Sequence, residues 1–213
     1  MCATYWLGDS IDIEIANLLS ELNDRYIDTT VLDEETTSLG SLLSGDVYPK
    51  NKSGIIGIGS GSFTLTYAYW GFLRDEKNVV YNSRSDKVKS SYFWRSAYLN
   101  NRGFIVCNGF YESKKNSGGK STRYLFTYPS EDLIYIASIS EKKVALDGSI
   151  NTYYSLLTTE ANSSVSGIHH RMPLVLQKDQ LYDWITDTKF SDTLLSSEMP
   201  TFSYTEDQKK LLI

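Results

Sequence analysis

Residues 10–26, SIDIEIANLLSELNDRY, carry Ile11, Ile15, Leu18, Leu19 and Leu22 at the three- and four-residue spacing of an amphipathic helix. Asp9 or Ser10 is the expected N-cap. Residues 28–48 turn polar, which predicts loop with short structured pieces. The period then changes. SFTLTYAYWGF (62–72) alternates like a strand, and RGFIVCNGFYES (102–113) reads as a buried strand run ending in a polar turn. TRYLFTYP, LIYIASIS and NTYYSLLTT follow as further strands. Two more helices are predicted, one over 86–99 with an aromatic face and a short one over 178–187 around Trp184. Two glycine-bearing stretches fail as nucleotide loops. SGIIGIGSGSF (53–63) has Ser62 where a dinucleotide fingerprint needs its third glycine. KKNSGGKST (114–122) opens on Lys114 rather than glycine and lies between strand patterns, so it predicts a hairpin loop. There is no internal repeat and no long linker. Strands dominate, and the fold class expected is α+β with a largely antiparallel or mixed sheet.

The length of 213 residues suits one domain, and 41% hydrophobic content supplies a sizeable core. Sixteen tyrosines suit β-rich folds and binding surfaces alike. Two cysteines, Cys2 and Cys107, make no disulfide framework, which points to a reducing, cytoplasmic setting. The N-terminus has neither the basic nor the apolar region of a signal peptide, and no apolar run approaches a membrane span, so no membrane association is expected. The net charge of −5 argues against nucleic acid, but its distribution does not. Residues 74–123 hold 11 Lys+Arg against 4 Asp+Glu, so an acidic chain can still present a basic stripe to phosphates.

Few residues are candidates for chemistry. Cys2 directly follows Met1, and once Met1 is removed it carries a free α-amine and a thiol on adjacent carbons. The only histidines, His169 and His170, are adjacent in GIHHRMPLVL; neighbours in an extended segment point opposite ways, so acid–base work suits them better than metal binding. No second Cys or His pair completes a zinc site, and no metal or cofactor is expected. Glu112 closes an apolar strand, where desolvation would raise its pKa toward neutrality. Asn82 and Arg84, in YNSRSDK, form either a capping turn, with Ser85 or Asp86 as cap, or a grip on a sugar–phosphate. Trp70 is either core or a stacking surface for a base.

Taken together and in order, MC at the start, YWG (69–71), NSRS (82–85), the RGFIVCNGFYE run and IHHRMPLVL resemble the SOS response-associated peptidase (SRAP) family of abasic-site processing proteins. The resemblance covers roughly residues 1–186 and implies a single SRAP domain over 1–213, with a central mixed, largely antiparallel, barrel-like sheet and a few flanking helices. It implies a monomer that captures abasic sites in single-stranded DNA through Cys2, in the cytoplasm, and on the nucleoid if the source is bacterial. Carried onto matching positions, Cys2, Asn82, Glu112 and His169 are the catalytic set, and Arg84, Trp70, Ser85 and Arg171 contact DNA. His169 is preferred to His170 because the family pattern is IH-x-RMP. Departures fall on Ala3-Thr4, where the family continues Gly-Arg, on Tyr69 in place of arginine and on Ser113 in place of tryptophan. Two other readings stay open: a cysteine-type peptidase acting on its own N-terminus, and a noncovalent nucleic-acid-binding module.

Overall fold

The structure, a computed structural model, describes residues 3–27, 44–75, 78–145 and 147–207. Cys2 and most of the polar 28–48 stretch lie outside the described residues. The described strands are β1 (Thr4–Leu7), β2 (Gly45–Val47), β3 (Lys52–Gly59), β4 (Ser62–Trp70), β5 (Phe72–Leu73), β6 (Val79–Val80), β7 (Asn82–Arg84) and β8 (Arg102–Cys107). They continue with β9 (Gly109–Lys115), β10 (Ser121–Thr127), β11 (Ile134–Val144), β12 (Ile150–Glu160), β13 (Arg171–Pro173), β14 (Val175–Leu176) and β15 (Ser203–Glu206). The helices are α1 (Ile11–Tyr26), α2 (Arg95–Asn100), α3 (Leu181–Thr186) and α4 (Thr188–Leu194), with a 3-10 turn at Lys178–Gln180.

Strands β12, β4, β3, β8 and β11 pair in that order, and β11 pairs back to β12, which closes a five-stranded barrel. Within the ring only β12–β4 is parallel. Beyond the ring, β7 also lies parallel to β12 and carries Asn82 opposite Leu156. The mixed, largely antiparallel barrel of an α+β fold is therefore what the chain forms. A second, antiparallel sheet runs β15-β10-β9-β1-β2. Helix α1 lays Ile11, Ile15, Leu18 and Leu22 against the barrel as its spacing predicts, and the Asn23 side chain ties its last turn to the backbone of Phe63 in both directions. Among the described residues no helix is long and apolar enough to cross a membrane.

Four local expectations need correction. The 102–113 run is not one strand. Asn108 breaks it: its backbone N–H donates to Trp6 O and its side chain accepts from Gly8 N–H, so the chain leaves the barrel as β8 and enters the second sheet as β9. The 86–99 segment is helical only over α2. Residues 85–94 form successive turns, where the Ser90 hydroxyl bonds Lys87 O and the Ser91 hydroxyl accepts from Phe93 N–H, a competition that serines offer to a continuous helix. The helix around Trp184 is preceded by the 3-10 turn and followed by α4, which Asp187 caps by accepting from Lys189 and Phe190 N–H. Trp70 is core, not a stacking surface: it is 0% exposed, donates to Tyr81 O, and packs against Tyr5 and Tyr154. By contrast, 114–122 is a hairpin connection, with Lys115 opposite Ser121. The glycines of 53–63 belong to β3 and its tight turn into β4, where Ser60 and Gly61 both have positive φ.

Two buried features fix β8, one against the helices and one against β3. Arg102 is buried, and its guanidinium donates to Trp184 O (2.7 Å), Ile185 O (2.9 Å) and Tyr98 O (2.7 Å), which joins the ends of α2 and α3 to the start of β8. Next to it, β3 crosses Gly103 so closely that an added Cβ would sit 2.5 Å from Ile56 O. Gly103→Ala is therefore expected to force β3 and β8 apart and cost about 3 kcal/mol or more, read as a lowered urea midpoint; an unchanged midpoint would show that the strands separate freely.

Candidate active site

The second sheet and the turn that follows β12 meet at a cleft of about 630 Å³ whose lining includes Ala3, Glu112, Ser113, Arg123, His169 and His170. Two pairings build its floor. Strand β1 lies antiparallel to β9 with Thr4 opposite Tyr111, and β10 places Tyr124 opposite Glu112. The first described residue, Ala3, thus arrives beside Glu112, which lies midway along β9 instead of closing it as the sequence predicts.

Glu112 is 3% exposed, and burial pushes its carboxyl up to about 7. His169 comes from the turn after β12. Its Nδ1 lies 4.0 Å from Glu112 Oε2 and 3.0 Å from both the N–H and the C=O of Arg171. Burial holds the imidazole below its usual pKa, so it is neutral at physiological pH. The cleft therefore sets a carboxyl that titrates near neutrality against a neutral imidazole, a pair suited to passing protons in either direction. His170 lines the same cleft with its ring centroid 4.4 Å from that of His169.

Two contributors went unseen in the sequence. Asn162 anchors the histidine-bearing turn: its amide donates to Met199 O and Pro200 O (2.9 Å each), while its carbonyl oxygen accepts from Ser164. Arg123 spans one wall, 3.5 Å above the Tyr111 ring, paired with Asp46 at 2.8 Å and Asp207 at 3.5 Å. The signal for Arg123 was its place in the basic 74–123 segment. Asn162 carried none, because its partners lie far along the chain.

The remaining candidates separate into groups. Glu112 and His169 are brought together. Asn82 is buried on β7, outside the described lining of the cleft. Arg84, Ser85 and Arg171 gather beside the end of β12. Ser85 is buried, with its N–H on Thr158 O. Arg171 is buried and donates to Thr158 O and, at 3.4 Å, to Thr158 Oγ1. Arg84 is exposed. This group connects to the cleft through the backbone from His169 to Arg171. Trp70 has no exposed face to offer DNA. Cys107 is fully buried in the barrel, its thiol pushed up to about 12 by desolvation, so it is no nucleophile. Among the described residues no group of three or more His, Cys, Asp or Glu is placed to hold a metal ion.

The chain and its fold are similar to known proteins. A sequence model described as SOS response associated peptidase (SRAP) matches residues 13–208, and the chain belongs to that family. The abasic site processing protein YoaM of Bacillus subtilis is 27% identical over 134 residues, covering 60% of this chain and 59% of that protein. The abasic site processing protein HMCES of Gallus gallus is 28% identical over 124 residues, covering 49% of this chain and 37% of that one. The chain thus spans less than two thirds of the length of the curated relatives it matches. In structure it resembles a crystallised protein of Bordetella bronchiseptica, with a TM-score of 0.74 at 16% identity over 97% of this chain and 100% of that one. A Bacteroides thetaiotaomicron protein gives the same TM-score of 0.74 at 17% identity over 98% and 93%. At these identities the likeness is one of fold.

The raised carboxyl predicts a pH-dependent stability. An unfolded glutamate titrates near 4.3, so Glu112 favours the folded state while protonated, and that contribution is lost as pH rises through about 7. Glu112→Gln is expected to leave stability at pH 4 unchanged and to raise it at pH 8 by up to about 3 kcal/mol in urea denaturation. Equal effects at both pH values would remove the case for a desolvated carboxyl.

Proposed function

We propose that the protein captures abasic sites in single-stranded DNA covalently, through the amine and thiol of Cys2 after removal of Met1. Family membership and the names of the relatives support abasic-site processing. The observation that carries the chemistry is that Ala3, joined to Cys2 by one peptide bond, lines the same cleft as Glu112 and His169.

The chemistry follows from the groups. The ring-opened abasic sugar is an aldehyde. A neutral α-amine adds to its carbonyl carbon, and an α-amine with a pKa near 7.7–8.0 is partly neutral at physiological pH. The carbinolamine loses its hydroxyl as water, with Glu112 supplying the proton, and an imine results. The thiol sulfur then adds to the imine carbon while the nitrogen takes up a proton. A five-membered thiazolidine closes, because nitrogen and sulfur sit on adjacent carbons. His169 moves protons around the sugar hydroxyl and the imine, and Asn82 orients the opened sugar or the N-terminus. Arg84, with Ser85 and Arg171, holds the neighbouring phosphate. In this reading residues 1–213 are one domain acting as a monomer.

Intact mass spectrometry of the protein mixed with single-stranded abasic DNA tests the reading. The expected product is a heat-stable adduct of protein lacking Met1, at the summed mass less one water. It should be absent with Cys2→Ala, with a reduced abasic site, and with any N-terminal extension. An extended protein that still forms the adduct would sink the amine mechanism. Glu112→Gln is expected to slow adduct formation about 10²-fold or more while changing noncovalent DNA binding less than threefold. Equal losses in both would remove Glu112 from proton transfer.

A further inference from the structure

Arg84 does not face solvent alone. Its Nε and Nη2 donate to the two oxygens of Asp86 at 3.0 and 2.8 Å, the side-by-side fork that a guanidinium also offers to a phosphate. Arg171 approaches the same carboxylate from the protein side, with Nη1 3.7 Å from Asp86 Oδ1. The side chains of Arg84 and Asp86 are 54% and 45% exposed, whereas that of Arg171 is 6% exposed. One open carboxylate therefore sits between one exposed and one buried guanidinium. Its hydrogen bonds to Arg84 hold it below the usual aspartate range, so it stays ionised throughout the physiological range.

We propose that Asp86 is an internal counter-anion occupying the position of a DNA phosphodiester, and that a phosphate must displace it to engage Arg84. This rests on the reading of Arg84 as a phosphate contact. Its consequence is a threshold. Undamaged single strands offer phosphates but no aldehyde, so they must displace Asp86 without the gain of capture. The threshold is shallow, because exposed ion pairs contribute little and the Arg84–Asp86 pair is open to water.

The salt dependence separates displacement from a simple change of net charge. A phosphate that meets a free arginine releases condensed counterions from the DNA. A phosphate that displaces Asp86 also leaves a bare carboxylate that takes up a cation, so the net release is smaller. Asp86→Asn is therefore expected to tighten noncovalent binding of an undamaged single-stranded oligonucleotide about three- to tenfold. It should also steepen the slope of log K against log salt by up to about 0.7, the value of one full phosphate contact on single strands.

Fluorescence anisotropy with a labelled undamaged 20-mer across a salt series is the test. The control Asp147→Asn neutralises an exposed carboxylate on the β11–β12 turn; it is expected to change affinity less than twofold and leave the slope alone. In the Arg84→Ala background the gain from Asp86→Asn should vanish. Asp86→Ser serves in place of Asp86→Asn if that protein does not fold. An unchanged slope, a gain that survives Arg84→Ala, or an equal gain from Asp147→Asn would each overturn the proposal. None of these measurements involves the aldehyde. An adduct with an unmoved slope would therefore sink only the counter-anion, and a steepened slope without an adduct would sink only the capture chemistry.

Discussion

Thr4 is held opposite Tyr111 by the antiparallel ladder between β1 and β9, and that pairing brings Ala3 beside Glu112. An N-terminus is ordinarily frayed, because nothing pays for its ordering. Here the fourth residue is already an interior strand position, flanked by β9 on one side, with β2 pairing from Tyr5 onward on the other. The cleft follows from this arrangement. Ala3 enters it, Glu112 closes it, and the turn carrying His169 covers it from the barrel.

The ladder depends in turn on the chain's change of sheet at Asn108. The apolar run before it builds a barrel wall, and the polar end after it builds the site. One side chain with both an acceptor and a donor makes the transition possible, by bonding Gly8 N–H and Asp132 O while its backbone pairs with Trp6. Immediately beyond, Gly109 passes so close to Phe126 O that an added Cβ would lie 2.9 Å away. The site thus sits at a boundary, with a rigid barrel on one side and a strand carrying a desolvated carboxyl on the other. That placement explains how Glu112 is both nearly inaccessible and part of the lining of a cleft.

Charge is spent unevenly across the molecule. The basic segment 74–123 does not present itself whole to solvent. Arg102 is consumed by helix-end carbonyls, Lys89 by Asp192, and Arg123 by Asp46 and Asp207. Arg84 remains at the surface, beside a carboxylate rather than alone. Lys114, Lys115 and Lys120 are exposed on the β9–β10 hairpin, so exposed positive charge lies both on that hairpin and at the end of β12, where the backbone leads directly into the histidine turn.

Much of this was legible without coordinates where the information is local. Helix α1 announces itself by spacing, the strands by alternation, and the chemical inventory by its two histidines, its two cysteines and Glu112 after an apolar run, although β9 continues past Glu112 to Lys115 instead of closing there. Family membership followed from blocks of residues in sequence order, which needs no knowledge of their contacts. What the linear chain does not encode legibly is the identity of distant partners. The parallel β12–β4 contact that helps close the barrel, the break at Asn108, and the anchoring of the histidine turn by Asn162 all depend on segments that meet only after folding. Trp70 shows the difference most plainly. Its neighbours in sequence left stacking on DNA and packing in the core equally open, and burial decided between them, because a side chain's exposure is set by what the rest of the chain lays over it. Arg84 pairs with Asp86 only two residues on, but the approach of Arg171 to the same carboxylate depends on folding, because Arg171 lies far along the chain.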